Sequence, residues 1–428
     1  MRPVEEIPHG LVMCRVNGED VTVTALSDEA IFVRRMDDTS IRSIQIWFLE
    51  TRLYGYRHVC PSEWKVCGES CTGLGWVSEI AIADAAYAPQ VRRVLRDWAR
   101  YIRLKSEGDD EMMAHEMCAC PVGEAREATL NGQMRAWFSG LKGFELAGNW
   151  SLALVLDRPE LYERFADMPF EDFVKWYLEV HHLSGHLLFR KRPERVYIGN
   201  AYCERLCPDL SEIGRMRVRA EAEKVFVTAV LPSVRENRAE WAKEQVAAFA
   251  GWADEVEVND LGMLASVNRG KMRVLLGNLL NRRRKDSRLK WKSGAAENAG
   301  LLAENALNDG EYLNFLKEKG ICRIEYETCG YFVKVAEGVA ASVHFPFYQT
   351  NTSHDCPLAA EILSRDAGAS IGSCGRVCTK YARLYAKEMR ILGRYNSIFG
   401  LDLEALEESG RLTEYLMQGA DRLVLDAL

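Results

Sequence analysis

The sequence predicts an α/β protein whose C-terminal part is an open or incomplete (β/α) TIM-like barrel. Three observations carry this. From Arg195 onward, short apolar strands alternate with helical stretches, the pattern of parallel strands joined by crossover helices in a (β/α) barrel or a doubly wound sheet. Polar residues gather at the C-terminal ends of those strands, where such barrels place their chemistry. Ahead of them lie alternating runs punctuated by turn residues, which define a separate, mainly β unit. The expected division is a β-rich region over 1–105, a helical bridge over 106–190 and the barrel over 191–428.

The N-terminal region opens with LVMCRVN, the pair Asn17-Gly18, and VTVTALS, in which Val21, Val23 and Ala25 alternate with Thr22 and Thr24. Asn-Gly between alternating runs signals a two-residue hairpin turn. AIFVRR and SIQIWFLE continue the meander. This beginning resembles a PilZ-type domain, a small barrel whose best-known members bind a cyclic dinucleotide. Around ALSDEA, Ser27 stands at the motif's serine, but Ala25 and Ala30 occupy the places of its acidic or amide residue and its glycine, and the upstream arginine pair is missing. The resemblance therefore implies a degenerate scaffold without the nucleotide site.

Residues 91–104 form an amphipathic helix with Val91, Val94, Leu95, Trp98, Ala99 and Ile102 on one face and five arginines elsewhere, read as a core-packed helix with a solvated outer face. The segment 106–116 is acidic and expected to be exposed. Between Asp157 and Arg190, Pro159 suits a first helical turn, and Phe170, Phe173, Val174, Tyr177 and Leu178 recur at helical spacing. His181, His182 and His186 follow and are expected to cap or pack rather than bind metal. Cys60, Cys67, Cys71, Cys118 and Cys120 match no ligand spacing.

With 428 residues, 48% of them hydrophobic, the chain can bury a large core. A net charge of -7 and a pI near 5.8 argue against a general polyanion coat. The first residues contain acidic side chains and no long apolar core, and no run of about twenty apolar residues spans a bilayer. Thirteen cysteines in such a chain are expected to be reduced thiols and metal ligands, which places it in the cytoplasm.

The strands of the C-terminal part are VYIGN (196–200), KVFVTAVLP (224–232), EVEVND (255–260), RVLLGNLLN (273–281), CRIEYE (322–327) and ASVHFPFY (341–348), with ADRLVLD (420–426) placed to close the sheet. After the second of these, Ser233 and Glu236 have capping-box spacing, Ala242, Val246, Phe249 and Ala250 form a buried stripe, and Gly251 ends the helix. Cys356, Cys374 and Cys378 form a late group with one close pair, and Cys203 lies just past a strand end on the same predicted face. Four thiolates suit a cubane 4Fe-4S cluster or a tetrahedral zinc. The spacing favours the cluster, because structural zinc commonly takes two tight cysteine knuckles. Cys322 begins its strand and should sit at the opposite end from Cys203.

Gly199-Asn200 and Gly277-Asn278 both end strands. Glycine admits a close approach and asparagine offers a donor and an acceptor. Asn259, Asn278 and Asn281 are the candidate substrate binders, Arg282 the candidate carboxylate partner, and Glu325 and His344 the candidates for proton transfer.

VYIGNAYC, VEVNDLGML, LLGNLLNRR, CRIEYE, HFPFY and the late cysteines together resemble the collagenase-like peptidase family U-thirty-two, over about 191–428. The similarity is to its iron-sulfur members, which hydroxylate ubiquinone precursors or RNA bases without oxygen. In those relatives one cysteine follows the first strand and three come late, the last two separated by three residues, as Cys203, Cys356, Cys374 and Cys378 do here. The resemblance thus implies a 4Fe-4S cluster. The cysteine segment of the protease members is absent, so proteolysis is disfavoured.

The leading expectation is an iron-sulfur enzyme acting on a small organic acid or aromatic substrate by oxygen-independent hydroxyl transfer, with an electron donor the sequence does not name. NRRRKDSRLKWK (281–292) supports a rival, an RNA-modifying enzyme gripping phosphates and stacking a base on Trp291. A third class is a non-catalytic redox or oxygen sensor.

Overall fold

Asn17 and Gly18 both adopt left-handed backbone (φ 54° and 89°), as a tight hairpin turn between two right-twisted strands requires, so Val12–Val16 folds back onto Glu19–Leu26. The computed structural model describes residues 5–7, 10–50, 55–73, 75–107, 124–267, 272–285, 298–353, 356, 358–359, 374–384 and 390–428. The hairpin continues antiparallel through Ala30–Arg35, Ile44–Glu50, Gly55–Val59, Trp64–Thr72 and Gly75–Ile82. Its core is Val12, Cys14, Val21, Val23, Ile31, Val33, Ile46, Phe48 and Ile80, covered by the helix Tyr87–Glu107 through Tyr87, Val91 and Val94. That helix packs with the apolar face of its first half inward, as its periodicity predicts, although Ala99 and Ile102 toward its far end are exposed. Ser27 has a structural task here. Its hydroxyl accepts the Ala30 N–H at 3.0 Å and so closes the turn between two strands.

The barrel is closed, not open. Its eight parallel strands are Ser151–Leu156, Arg195–Gly199, Phe226–Leu231, Glu255–Val258, Arg273–Leu276, Ile321–Glu327, Ala340–Thr352 and Ala420–Asp426, each paired to the next. The last pairs with the first, Val424 standing opposite Ala153, which completes the ring. Ser151–Leu156 lies inside the segment expected to be a helical bridge. It reads SLALVL, a continuous apolar run that is buried on both faces and therefore carries no alternation to betray a strand. Without it the barrel looks one strand short.

Elsewhere the alternation in the sequence is the barrel's inside and outside. In EVEVND, Val256 and Val258 pack outward under the helices, while Glu255 and Glu257 face the lumen; in RIEYE, Ile324 and Tyr326 go out and Arg323, Glu325 and Glu327 go in. The helix after Phe226–Leu231 begins at Ala239, behind the short turn Glu236–Arg238, and no side chain caps it. The expected Ser233/Glu236 capping box is not formed, because Ser233 Oγ instead donates to Asp260 Oδ2 at 3.4 Å. Ala242, Val246 and Phe249 are buried and Gly251 has φ 98°, as the sequence requires of the stripe and the stop.

Between the seventh and eighth strands the chain leaves the barrel. Ala340–Thr352 runs on past the ring and pairs antiparallel with Ser397–Leu401, which pairs with Ile391–Arg394 and then Arg383–Leu384. This extension carries the late cysteines over the C-terminal mouth. Among the described residues no helix is long and apolar enough to cross a membrane.

Candidate functional site

Three layers of polar side chains fill the lumen. At the N-terminal end, Arg422 forms two hydrogen bonds across the barrel to Glu255 (2.7 and 3.1 Å), Arg195 approaches the same carboxylate at 3.1 Å, and Arg323 grips Asp421 at 2.6 and 3.1 Å. Burial alone would raise Glu255, but Arg422 and Arg195 hold it down at about 2. In the middle, Glu325 is fully buried; Tyr197 and Ser342 hydroxyls donate to Oε1, each at 3.1 Å, and His344 Nε2 lies 3.0 Å from Oε2. Burial disfavours an imidazolium, yet the Glu325 hydrogen bond and charge, reinforced by Glu257 and Asp426, lift His344 to about 9. Glu325 and His344, candidates from sequence, are thus hydrogen-bonded to each other inside the lumen.

At the C-terminal layer, burial and neighbouring carboxylates raise Glu257 and Asp426 above the ordinary carboxylate range. The signs combine into a testable pH dependence. Glu255 contributes stability that is present above the ordinary glutamate value and lost as pH falls toward about 2, whereas His344 contributes stability present below about 6.5 and lost as pH rises through about 9. Glu257 and Asp426 add a cost as pH rises above the ordinary carboxylate range. The unfolding midpoint in urea is therefore expected to peak on the acidic side of neutral and fall by pH 9, measured across a pH series at constant ionic strength.

Glycine at the two Gly-Asn strand ends answers to barrel packing. Gly199 has φ 126°, and a Cβ there would stand 2.2 Å from the Val230 carbonyl; a Cβ on Gly277 would stand 2.2 Å from Asn259 Oδ1. The asparagines divide into two roles. Asn200 Oδ1 accepts the N–H groups of Tyr202 (2.9 Å) and Cys203 (2.8 Å), and its amide donates to the Asp157 carbonyl at 3.0 Å, so it fixes the loop that presents Cys203. Asn259 is likewise fully used: its amide donates to the Leu231 carbonyl (3.1 Å) and Glu257 Oε1 (2.8 Å), and its Oδ1 accepts Leu279 N–H at 3.2 Å. Asn259→Ala would strand those groups and is expected to lower stability by about 2 kcal/mol in denaturant unfolding.

Asn278 and Asn281 are buried with Oδ1 unpartnered. Asn278 and His344 line one small cavity, walled also by Asp157, Tyr197, Glu257 and Asp426, at the lumen's C-terminal end. Arg282 is exposed. Its neighbours Arg283 and Lys285 turn inward, Lys285 to Glu327 Oε2 at 2.5 Å and Arg283 to the Glu327 carbonyl at 2.7 Å. Two cations of the basic run thus serve the barrel rim; residues 286–292, Trp291 included, lie outside the described residues.

Cys203, Cys356, Cys374 and Cys378 line a single cleft of about 510 Å³ over the mouth. Burial, with the neighbouring thiols adding to it, raises Cys203 to about 11 and Cys378 to about 12. Cys356 Sγ donates to the Tyr395 carbonyl at 3.2 Å. Cys207 does not line the cleft; its thiol is directed to the carbonyls of Asn200 and Cys203. Cys322, at the start of its strand, bonds the Val274 carbonyl, and Cys329 accepts from Arg283 at 3.1 Å. Among the described residues, no three His, Cys, Asp or Glu side chains are drawn together around one ion. The four thiols share the cleft with Arg205, Arg235, Arg238 and Arg376, which carry no motif or spacing that would single them out in sequence.

The three histidines after the helix Phe170–Val180 do not converge. His181 is buried against Arg158 (3.2 Å), and burial together with that charge lowers it to about 3; His182 meets Asn131, and His186 Nε2 lies 2.7 Å from the Leu406 carbonyl.

Fold and mouth together define a closed parallel (β/α) barrel with polar groups collected at the C-terminal ends of its strands. No family model matches the chain, and no curated protein matches it. Among solved structures it is similar to one described as a mandelate racemase/muconate lactonizing enzyme from Aspergillus oryzae, with 10% identity, a TM-score of 0.28, and coverage of 91% of this chain and 94% of that one.

Proposed function

We propose that this chain is an iron-sulfur enzyme in which Cys203, Cys356, Cys374 and Cys378 hold a 4Fe-4S cluster over the barrel mouth, beside a pocket for a small organic acid or aromatic substrate. The observation that carries the reading is that four cysteines from two remote stretches line one cleft. The donor set fits such a group: four soft sulfur ligands of one kind. A cluster spreads its thiolates over several irons, so it asks for a wider gathering than a single zinc does.

When bound, a cluster supplies electron transfer or Lewis acidity, and the proposed reaction is oxygen-independent hydroxyl transfer from a donor substrate. The chain's own residues do the rest. Arg205, Arg235 and Arg376, exposed at the cleft, offer charge-assisted hydrogen bonds to a carboxylate, the role first expected of Arg282. The His344–Glu325 pair holds a proton at the lumen's end of the site. The test is anaerobic purification with iron, sulfide and zinc analysis: about four irons per chain support the reading, and stoichiometric zinc in a colourless protein overturns it.

The same arginines favour one second reading, in which the cleft receives RNA and the cations meet phosphate. Nucleic acid co-purifying with the protein and salt-dependent binding to heparin would support RNA. Their absence favours the small substrate.

A further inference from the structure

At the C-terminal end of the lumen three buried polar atoms have no hydrogen-bond partner: His344 Nδ1, Asn278 Oδ1 and Asp426 Oδ1. They belong to three different strands or strand ends, and all three residues line the same cavity. A buried polar atom left unpaired costs about 1–3 kcal/mol, so three on residues that line one void are not expected to stay unpaired. The void measures about 20 Å³, which is room for one water-sized atom.

The hydrogen-bonding characters complement one another. With Nε2 engaged by Glu325 Oε2 at 3.0 Å, a charged His344 presents Nδ1–H to the cavity as a donor. Asn278 Oδ1 and Asp426 Oδ1 present acceptors. An oxygen that accepts one hydrogen bond and donates two satisfies all three, and water is the smallest molecule that does so. The cavity is walled toward the cysteine cleft by Tyr202, which lines both spaces.

We propose that this cavity is a proton-exchanging water site, distinct from the cysteine centre, in which His344 Nδ1–H, Asn278 Oδ1 and Asp426 Oδ1 hold one water oxygen. The exchange is balanced: the imidazolium proton passes to the bound oxygen as one of that oxygen's own protons passes to Asp426, leaving neutral imidazole and a protonated carboxyl. Glu325 acts as a positioning residue, since it touches only the far nitrogen of the ring. The titratable groups around His344 come from five other barrel strands or their ends: Glu325, Glu257 and Asp426, whose charges favour the imidazolium, with Asp157 on the cavity wall and Tyr197, whose ring meets the imidazole edge-on at 5.5 Å. This inference does not depend on the cluster and survives its loss.

The experiment is a high-resolution crystal structure of the full chain, with and without a methanol soak, paired with NMR titration of His344. A single-oxygen peak within hydrogen-bond distance of all three atoms that is unchanged by methanol supports the water site; a peak that gains a methyl group overturns it, because methanol donates only one hydrogen bond and a one-water void has no room for its carbon. An empty cavity, or one filled by a neighbouring side chain, overturns the proposal. Asp426→Asn, which keeps the side-chain shape, is expected to move His344 titration to lower pH, and Asn278→Leu to abolish the oxygen peak and shift His344 the same way. His344 titrating identically in parent and both folded variants also overturns it, because a purely packing role for Asn278 would leave the imidazole unaffected.

Discussion

Serine in place of Cys203, Cys356, Cys374 or Cys378, one at a time, is expected to abolish or severely deplete the iron of anaerobically purified protein, together with broad absorbance near about 400 nm. A hydroxyl is a harder and much less acidic ligand than a thiol, so each change removes one soft donor from a set of four. Cys207→Ser is the control. Its thiol is directed to two backbone carbonyls away from the cleft, so it is no member of the proposed ligand set, and the variant should retain its colour. Loss of iron from Cys207→Ser with retention in Cys203→Ser would reassign the fourth ligand. Equal retention in all five would remove the cluster.

Glu255→Gln is expected to destabilise the barrel by about 3–5 kcal/mol, because it strands two buried cations rather than merely deleting a contact. Arg195 and Arg422 are both more than nine-tenths buried, and the Glu255 carboxylate is the anion set between them. Such a loss is a large share of a typical domain's stability and should show as a lower urea midpoint with an unchanged slope. If the penalty comes from unpaired charge, adding Arg422→Met to Glu255→Gln should recover part of it, since one stranded cation is gone. A double variant weaker than the single one would mean that the arginine also carries the lumen's packing. Iron content should follow neither change, as the pair lies at the end of the lumen away from the cysteines.

Much of the architecture is legible in local pattern. EVEVND and CRIEYE alternate because one face of each strand meets helices and the other the lumen, and Asn17-Gly18 dictates its hairpin by backbone geometry alone. Ser151–Leu156 escapes for the complementary reason: buried on both faces, it has no period to read, and its loss from the count turns a closed barrel into an open one. Side-chain duties are less local. Asn259 and Asn278 are equivalent in sequence, each following an apolar strand, yet one is consumed by three hydrogen bonds and the other keeps a bare oxygen toward a cavity. Arg282 and Arg283 are adjacent, and which of them turns inward depends on where Glu327 stands, 44 residues away from Arg283.

The sequence by itself determined the parallel barrel and its polar mouth and offered the four cysteines as candidates, because strand alternation, turn chemistry and residue type are properties of short stretches of chain. Ring closure and the gathering of those cysteines in one cleft were decided by the tertiary structure alone. So were the opposed fates of Asn259 and Asn278 and the coupling of His344 to Glu325, Glu257 and Asp426. Each depends on groups brought across a lumen from strands up to some hundred residues or more apart, and hydrogen-bond satisfaction and pKa answer to that distance in space, which sequence separation does not encode.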